Sequence, residues 1–178
     1  MASLSQIWGT QPHELDLIFP CNQIIPDPDD ALYRGITVQA HPKVVFRWLC
    51  QMRVAPYSYD WIDNFGRRSP PHLIPGLDKL AIGQEVMRIF ELVDFVPDQH
   101  LTLRVKSSRQ VFGDVAVSYC VIAEGARTCR LLVKMVVRYP SGVMGWLTRT
   151  FLPWGDLIMM RRQLLNFKKL AERTTSKV

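Results

Sequence analysis

The stretch PYSYDWIDNFGRRSP, residues 56–70, sets Tyr57, Tyr59 and Trp61 beside Asp60, Asp63, Arg67 and Arg68 between prolines. Aromatic surface next to both signs of charge suits the mouth of a binding site, apolar at one end and wet at the other. It equally suits a plain connection, in which Asp60 caps a short helix, Trp61 and Ile62 pack, and the arginines pair with the aspartates at the surface. Two other groups stand out in apolar surroundings. Tyr119 lies within VAVSYCVIA, and a buried phenol must find a partner in protein, water or ligand. Arg88 lies within VMRIFELVD; pointing inward it needs a counter-charge such as Asp94 or a ligand anion, and pointing outward it needs none.

Several familiar chemistries have no residues to carry them. The four histidines (His13, His41, His72, His100) stand far apart, without H-E-x-x-H or H-x-H spacing, so no metal site is expected. There is no G-x-S-x-G nucleophile elbow and no cysteine with a histidine near it in sequence. The glycines form neither G-x-G-x-x-G nor a phosphate loop, so no nucleotide cofactor is expected. What is left is a protein that binds by shape, or an enzyme that works by positioning and acid–base help.

The elements that would position these groups can be read from periodicity. Residues 1–30 are irregular and end in IIPDPDD, where prolines and aspartates forbid helix and sheet. An arm is expected there, lying on the domain and pinned by Phe19, Ile24 and Ile25. ALYRGITVQ (31–39) reads as a strand with Leu32, Ile36 and Val38 on one face. HPKVVFRWLCQM reads as a helix, with Pro42 at its first position and Val45, Trp48, Leu49 and Met52 as its stripe. YSYDWIDN reads as a short second helix.

After Gly83 the period becomes two. EVMRIFELVDF makes one strand or two, and LTLRVK alternates Leu101, Leu103 and Val105 with polar residues. VAVSYCVIA, apolar on both faces, should be central. CRLLVKMVVRY puts Leu131, Val133 and Met135 on one face and Arg130, Lys134 and Arg138 on the other. EGAR between the last two strands reads as a hairpin turn. SGVMGWLTRTFL predicts a short helix and PWGDLIMMRRQLLNFKKLAER a long one. The long helix buries Leu157, Met160, Leu164, Phe167 and Ala171, with Asp156 near its positive end.

At 178 residues, 48% of them hydrophobic, the chain suits one domain with a substantial core. No run approaches the ~18 apolar residues of a membrane span. The opening lacks a secretory pattern, and four cysteines without C-x-x-C spacing read as reduced core thiols. A cytoplasmic protein is expected. Charge is uneven: residues 1–125 carry 11 Lys/Arg against 14 Asp/Glu, and residues 126–178 carry 11 against 2. Arg130, Lys134 and Arg138, with Arg104 and Lys106, read as a solvated basic sheet face. Contact of that face with an anionic membrane or an acidic protein is the alternative. Without stacking aromatics or a reading helix beside it, no nucleic-acid partner is expected.

One strand, two helices, an antiparallel meander and a long terminal helix suit an α+β fold, a curved sheet wrapped around that helix. The order resembles the START-like helix-grip superfamily, which includes polyketide cyclase/dehydrase-like proteins. ALYRGITVQAHPKVVFRWLCQM and WGDLIMMRRQLLNFKKLAER carry the likeness, with GQEVMRIFELVDF, LTLRV and RLLVKM between them. It covers residues 31–173 and leaves residues 1–30 as an unmatched arm before a domain of 31–178.

The resemblance implies an internal cavity that takes a lipid, polyketide or similar hydrophobic molecule, as carrier, sensor or store. It brings the 56–70 connection close to that cavity, which favours Tyr57, Tyr59 and Trp61 as its rim. Leu103, Leu131, Val133, Met135, Met160 and Leu164 would wall it, and Tyr59, Tyr119 and Arg88 would orient the ligand. Met87 and Met159 would add adaptability. A cyclase-like enzyme using Asp60, Tyr119 or Arg88 as acid or base is the alternative. A protein-interaction module using the basic sheet face is a further one.

Overall fold

The computed structural model describes residues 3–59, 61, 66–106 and 113–176. Its elements are β1 (Ile7–Trp8), α1 (Cys21–Ile24), β2 (Asp30–Val38), α2 (Pro42–Cys50), β3 (Glu85–Val86), β4 (Phe90–Val96), β5 (His100–Val105), β6 (Asp114–Gly125), β7 (Thr128–Arg138) and α3 (Gly142–Thr175). One seven-stranded sheet runs β1-β2-β7-β6-β5-β4-β3, antiparallel except where β1 joins β2. The fold is α+β and of the helix-grip type. β6, apolar on both faces, lies in the middle of the sheet, and Gly125 pairs with Thr128 across a two-residue turn.

Alternation decides what faces α3. Leu32 and Val38 from β2, Leu101 and Leu103 from β5, and Leu131 and Val133 from β7 are buried in one core with Met160, Leu164 and Phe167 of α3. α2 closes the same layer. Pro42 opens it, the His41 ring nitrogen accepts from the Lys43 N–H at 3.2 Å, and Val45, Trp48 and Leu49 turn inward. Trp48, Tyr57 and Phe167 then stack edge to face and tilted, at 6.0 and 5.3 Å between ring centres. The last turns of α3, around Phe167 and Ala171, are thereby closely packed.

Three expectations are corrected. The C-terminal segment is one helix of 34 residues rather than two, continuing through Pro153. An interior proline costs about 3 kcal/mol in an isolated helix. Here the ring is buried, and Arg34 donates to the Pro153 carbonyl at 3.3 Å, so tertiary contacts hold the helix together. Asp156 consequently lies far from the helix start and is buried. EVMRIFELVDF, read as one strand or two, is two, β3 and β4, because Met87 and Arg88 take left-handed backbone (φ 49 and 63). Arg88 is therefore in a tight turn, exposed, and not in a strand.

The third correction concerns the outer face of the sheet, which is covered and not solvated. Phe19, Cys21 and Ile25 of the N-terminal segment form a second core with Ala116, Leu132 and Val136. The Cys21 N–H donates to Ser118 Oγ at 2.8 Å, and Ser118 pairs with Thr102 beneath it. Arg130 is buried against Glu14, with Nε to Oε1 at 2.7 Å and Nη2 to Oε2 at 2.8 Å. Lys134 is buried over the rings of Tyr33 and Phe19, at 4.9 and 5.6 Å. Arg104 pairs with Asp114, and Lys106 with Glu85. Arg130 and Lys134 are thus internal, whereas Arg104 and Lys106 stay half-buried in their ion pairs and Arg138 is exposed. Only the Arg104, Lys106 and Arg138 part of that face is left accessible to an interaction partner.

Candidate functional site

Toward the middle of α3 the packing opens. A cavity of about 540 Å³ lies between the sheet and the helix. Val117 and Tyr119 of β6 and Met135 of β7 form its floor, and Phe90 of β4 one side. Asp156, Met159, Met160 and Gln163 of α3 form its roof. Pro56, Ser58, Met87, Arg88 and Ile89 complete the lining; Pro56 and Ser58 are buried, and Arg88 and Ile89 are exposed at the mouth.

Its polar groups sit at the inner end. The buried Tyr119 hydroxyl donates to Gln163 Oε1 at 2.8 Å, and the Gln163 amide donates to the Pro56 carbonyl at 2.6 Å. Burial, with Asp156 close by, pushes the phenol far above its ordinary pKa, so it stays a donor. Asp156 faces Arg34 of β2, whose Nη2 lies 2.8 Å from Oδ2. That nitrogen spends its N–H groups on the carbonyls of Ser5 and Pro153. The ion pair therefore lacks an aligned hydrogen bond, and Asp156 Oδ2 and Arg34 Nε have no hydrogen-bond partner among the described residues. Burial pushes the Asp156 carboxyl up to about 6, although Arg34 pulls the other way. A carboxyl that titrates near neutrality at a cavity wall can anchor a polar group or move a proton.

Of the residues singled out in the sequence, Met87, Arg88, Tyr119, Met135, Met159 and Met160 line this cavity. Leu103, Leu131, Val133 and Leu164 lie in the packed core beside it, because the wall there is closed by their own contacts. The aromatics of the 56–70 connection are elsewhere. Tyr57 is buried, donates to the Pro70 carbonyl at 3.1 Å and packs on Phe167. Tyr59 lies under Arg162, 5.9 Å away, and Trp61 is exposed. Tyr59 and Trp61 border a separate surface hollow with Arg162, Lys169 and Arg173. Asp60 and Asp63, and with them half of the expected second short helix, lie outside the described residues. Trp61→Ala is accordingly expected to change the urea midpoint by less than about 0.5 kcal/mol equivalent, since it removes an exposed ring. A loss of several kcal/mol would show that Trp61 is a packed residue.

Sequence reasoning missed Arg34, Asp156 and Gln163. It also missed that β5 and β6 bring His100 opposite Cys120, with His100 Nε2 2.8 Å from Asp94 Oδ2. The order Cys–His–Asp suggests a nucleophile, but burial pushes the Cys120 thiol up to about 12. A thiol held protonated at neutral pH does not attack.

No family model matches the chain, and no curated protein matches it. Solved structures do. An aromatase/cyclase from a Streptomyces species has a TM-score of 0.54 at 16% identity, covering 82% of this chain and 94% of its own. A hypothetical protein from Helicobacter pylori has a TM-score of 0.54 at 15% identity, covering 87% and 95%. A protein from Mesorhizobium loti has a TM-score of 0.53 at 13% identity, covering 81% and 98%. The likeness establishes a START-like helix-grip fold, shared with polyketide cyclase-like structures. At these identities it establishes the fold and not a reaction.

Proposed function

We propose that this protein binds a hydrophobic small molecule in the cavity beneath α3, as a carrier, sensor or store. The observation that carries the reading is a 540 Å³ space with methionine, valine and phenylalanine walls and a few convergent polar groups at its inner end. Ligand sites commonly fall between about 300 and 1,000 Å³ with this division of labour. The ligand class is an apolar body with one or two hydroxyl or keto groups, placed to meet Tyr119, Gln163 and Asp156. Arg88 at the mouth suits a polar end that stays near water. A reducing, cytoplasmic setting belongs to the proposal, supported by four unpaired cysteines.

One observation favours a second reading. Asp156, raised to about 6, is a suitable acid or base for enolising a ketone held in the same space, as a cyclase would. One of the similar solved structures is a two-domain aromatase/cyclase, with a TM-score of 0.51 at 10% identity, of which this chain covers 51%.

Native mass spectrometry of protein purified from its own host tests the binding reading. An apolar compound should be retained in the gas phase and released on denaturation. Met159→Trp, which puts an indole at the cavity wall, should lower its occupancy. Protein that emerges empty, with the variant indistinguishable from it, would sink the proposal.

A further inference from the structure

α3 is apolar on two opposite sides, and only one of them is covered. Its inner stripe packs on the sheet as described. Its outer side carries Val143, Leu147, Phe151, Trp154 and Ile158, spaced i, i+4, i+8, i+11 and i+15, all exposed. Val143, Phe151, Trp154 and Ile158 are each more than half accessible. At 1.5 Å rise per residue the stripe is about 22 Å long. A monomer rarely leaves so continuous an apolar surface on water. No helix among the described residues is long and apolar enough to cross a membrane.

The charge around the stripe selects its occupant. Between residues 142 and 171 the sole carboxylate is Asp156, which faces inward and is buried. Arg161 and Arg162 follow Ile158 on the helix and are exposed, as is Lys169 beyond them. The whole chain carries a formal charge of +6. Two copies meeting through this face would bring two positively charged chains together with no exposed carboxylate on the helix between residues 142 and 171 to offset them. An anionic lipid surface complements it, because tryptophan and phenylalanine settle at the headgroup boundary while arginines meet the phosphates.

We infer that the outer face of α3 docks this protein on an anionic membrane surface, with the helix lying in the plane of the headgroups. The stripe ends on the helical turn that walls the cavity, since Ile158 precedes Met159. Docking therefore brings the cavity close to the lipid. The inference does not depend on what the cavity holds, and ligand-free protein should dock as well.

Co-sedimentation with vesicles tests it, comparing phosphatidylcholine alone with phosphatidylcholine containing phosphatidylglycerol. Wild type should bind the anionic vesicles and release them as salt is raised, and bind the neutral ones far more weakly. Phe151→Ser with Trp154→Ser removes two exposed rings and should weaken binding on the order of tenfold or more. Because neither ring is in the core, near-ultraviolet circular dichroism and the urea midpoint should confirm a folded variant. Failure of wild type to bind, or equal binding by the double variant, overturns the inference. So does sedimentation equilibrium showing a dimer that the double variant abolishes while vesicle binding is absent, since a second copy would then occupy the face. An empty cavity in mass spectrometry, with vesicle binding intact, would refute the proposed function and leave the docking surface standing.

Discussion

Replacing Glu14 with alanine should cost about 3–5 kcal/mol of stability, the usual result of leaving one member of a buried ion pair alone. Glu14 accepts two hydrogen bonds from Arg130 and a third from the Gln11 N–H at 2.7 Å, and both charged groups are buried. Burial alone would raise the Glu14 pKa, but the Arg130 bonds, the Gln11 N–H and the arginine charge together hold it below the usual range. A depressed folded pKa means that the contribution is present above the ordinary carboxylate pKa and lost as pH falls through the lower, folded value. Acid should therefore weaken wild type in a way that Glu14→Ala does not feel. The check is the urea midpoint of each protein at neutral pH and near pH 3. The double change Glu14→Ala with Arg130→Met should recover much of the loss, because no charge is then stranded. A single variant within about 1 kcal/mol of wild type would show the pair to be solvated, and the N-terminal segment to be a loose arm.

That pair also marks the limit of what periodicity reveals. β2, β4 to β7 and α2 were legible because Leu101, Leu103 and Val105, or Val45, Trp48 and Leu49, repeat at two or at three and four residues; β1 and α1, within residues 1–30 expected to be irregular, were not, being too short to show a period. Arg130 and Lys134 repeat just as cleanly, and the pattern says only that they share a face. What covers that face is Glu14, Phe19 and Tyr33, and the first two come from the N-terminal segment, more than a hundred residues away in the chain. No local rule connects them.

The polar end of the cavity was closer to legible. In ALYRGITV the alternation that turns Leu32, Ile36 and Val38 inward turns Arg34 inward too. On α3, Asp156 and Gln163 stand four residues before and three after Met160, on the buried side. Charged or amide groups on an apolar stripe are the readable sign of a buried polar network, and here two such signs from distant elements meet. The aromatics at 57–61 drew attention because they are conspicuous in sequence. Tyr57 is buried by its own packing, with its hydroxyl on the Pro70 carbonyl, and Trp61 lies outside the cavity altogether.

Asp156→Asn should separate carrier from enzyme and remove a defined pH dependence at the same time. In the folded protein the carboxyl titrates near 6, above its ordinary value of 3.8. The native state thus holds a proton that the unfolded chain has released. Stability from this group is complete below about pH 4 and is lost as pH rises through about 6. Wild type should lose stability across that window relative to Asp156→Asn, which cannot titrate and resembles the protonated protein. Equal slopes for the two would mean that Arg34 holds the carboxyl ionised throughout. For function, a carrier uses this group only to orient its ligand, and one hydrogen bond is worth on the order of 1 kcal/mol, or less than tenfold in affinity. Once the co-purifying compound is known, the variant should bind it within that factor, and wild type should return it chemically unchanged. A general acid or base contributes roughly 10²–10⁴ in rate. If wild type converts the compound and Asp156→Asn loses a hundredfold or more of that rate while still binding it, the cavity is a cyclase-like active site. Asp156 would then be its proton-transfer group, and the carrier reading would fall.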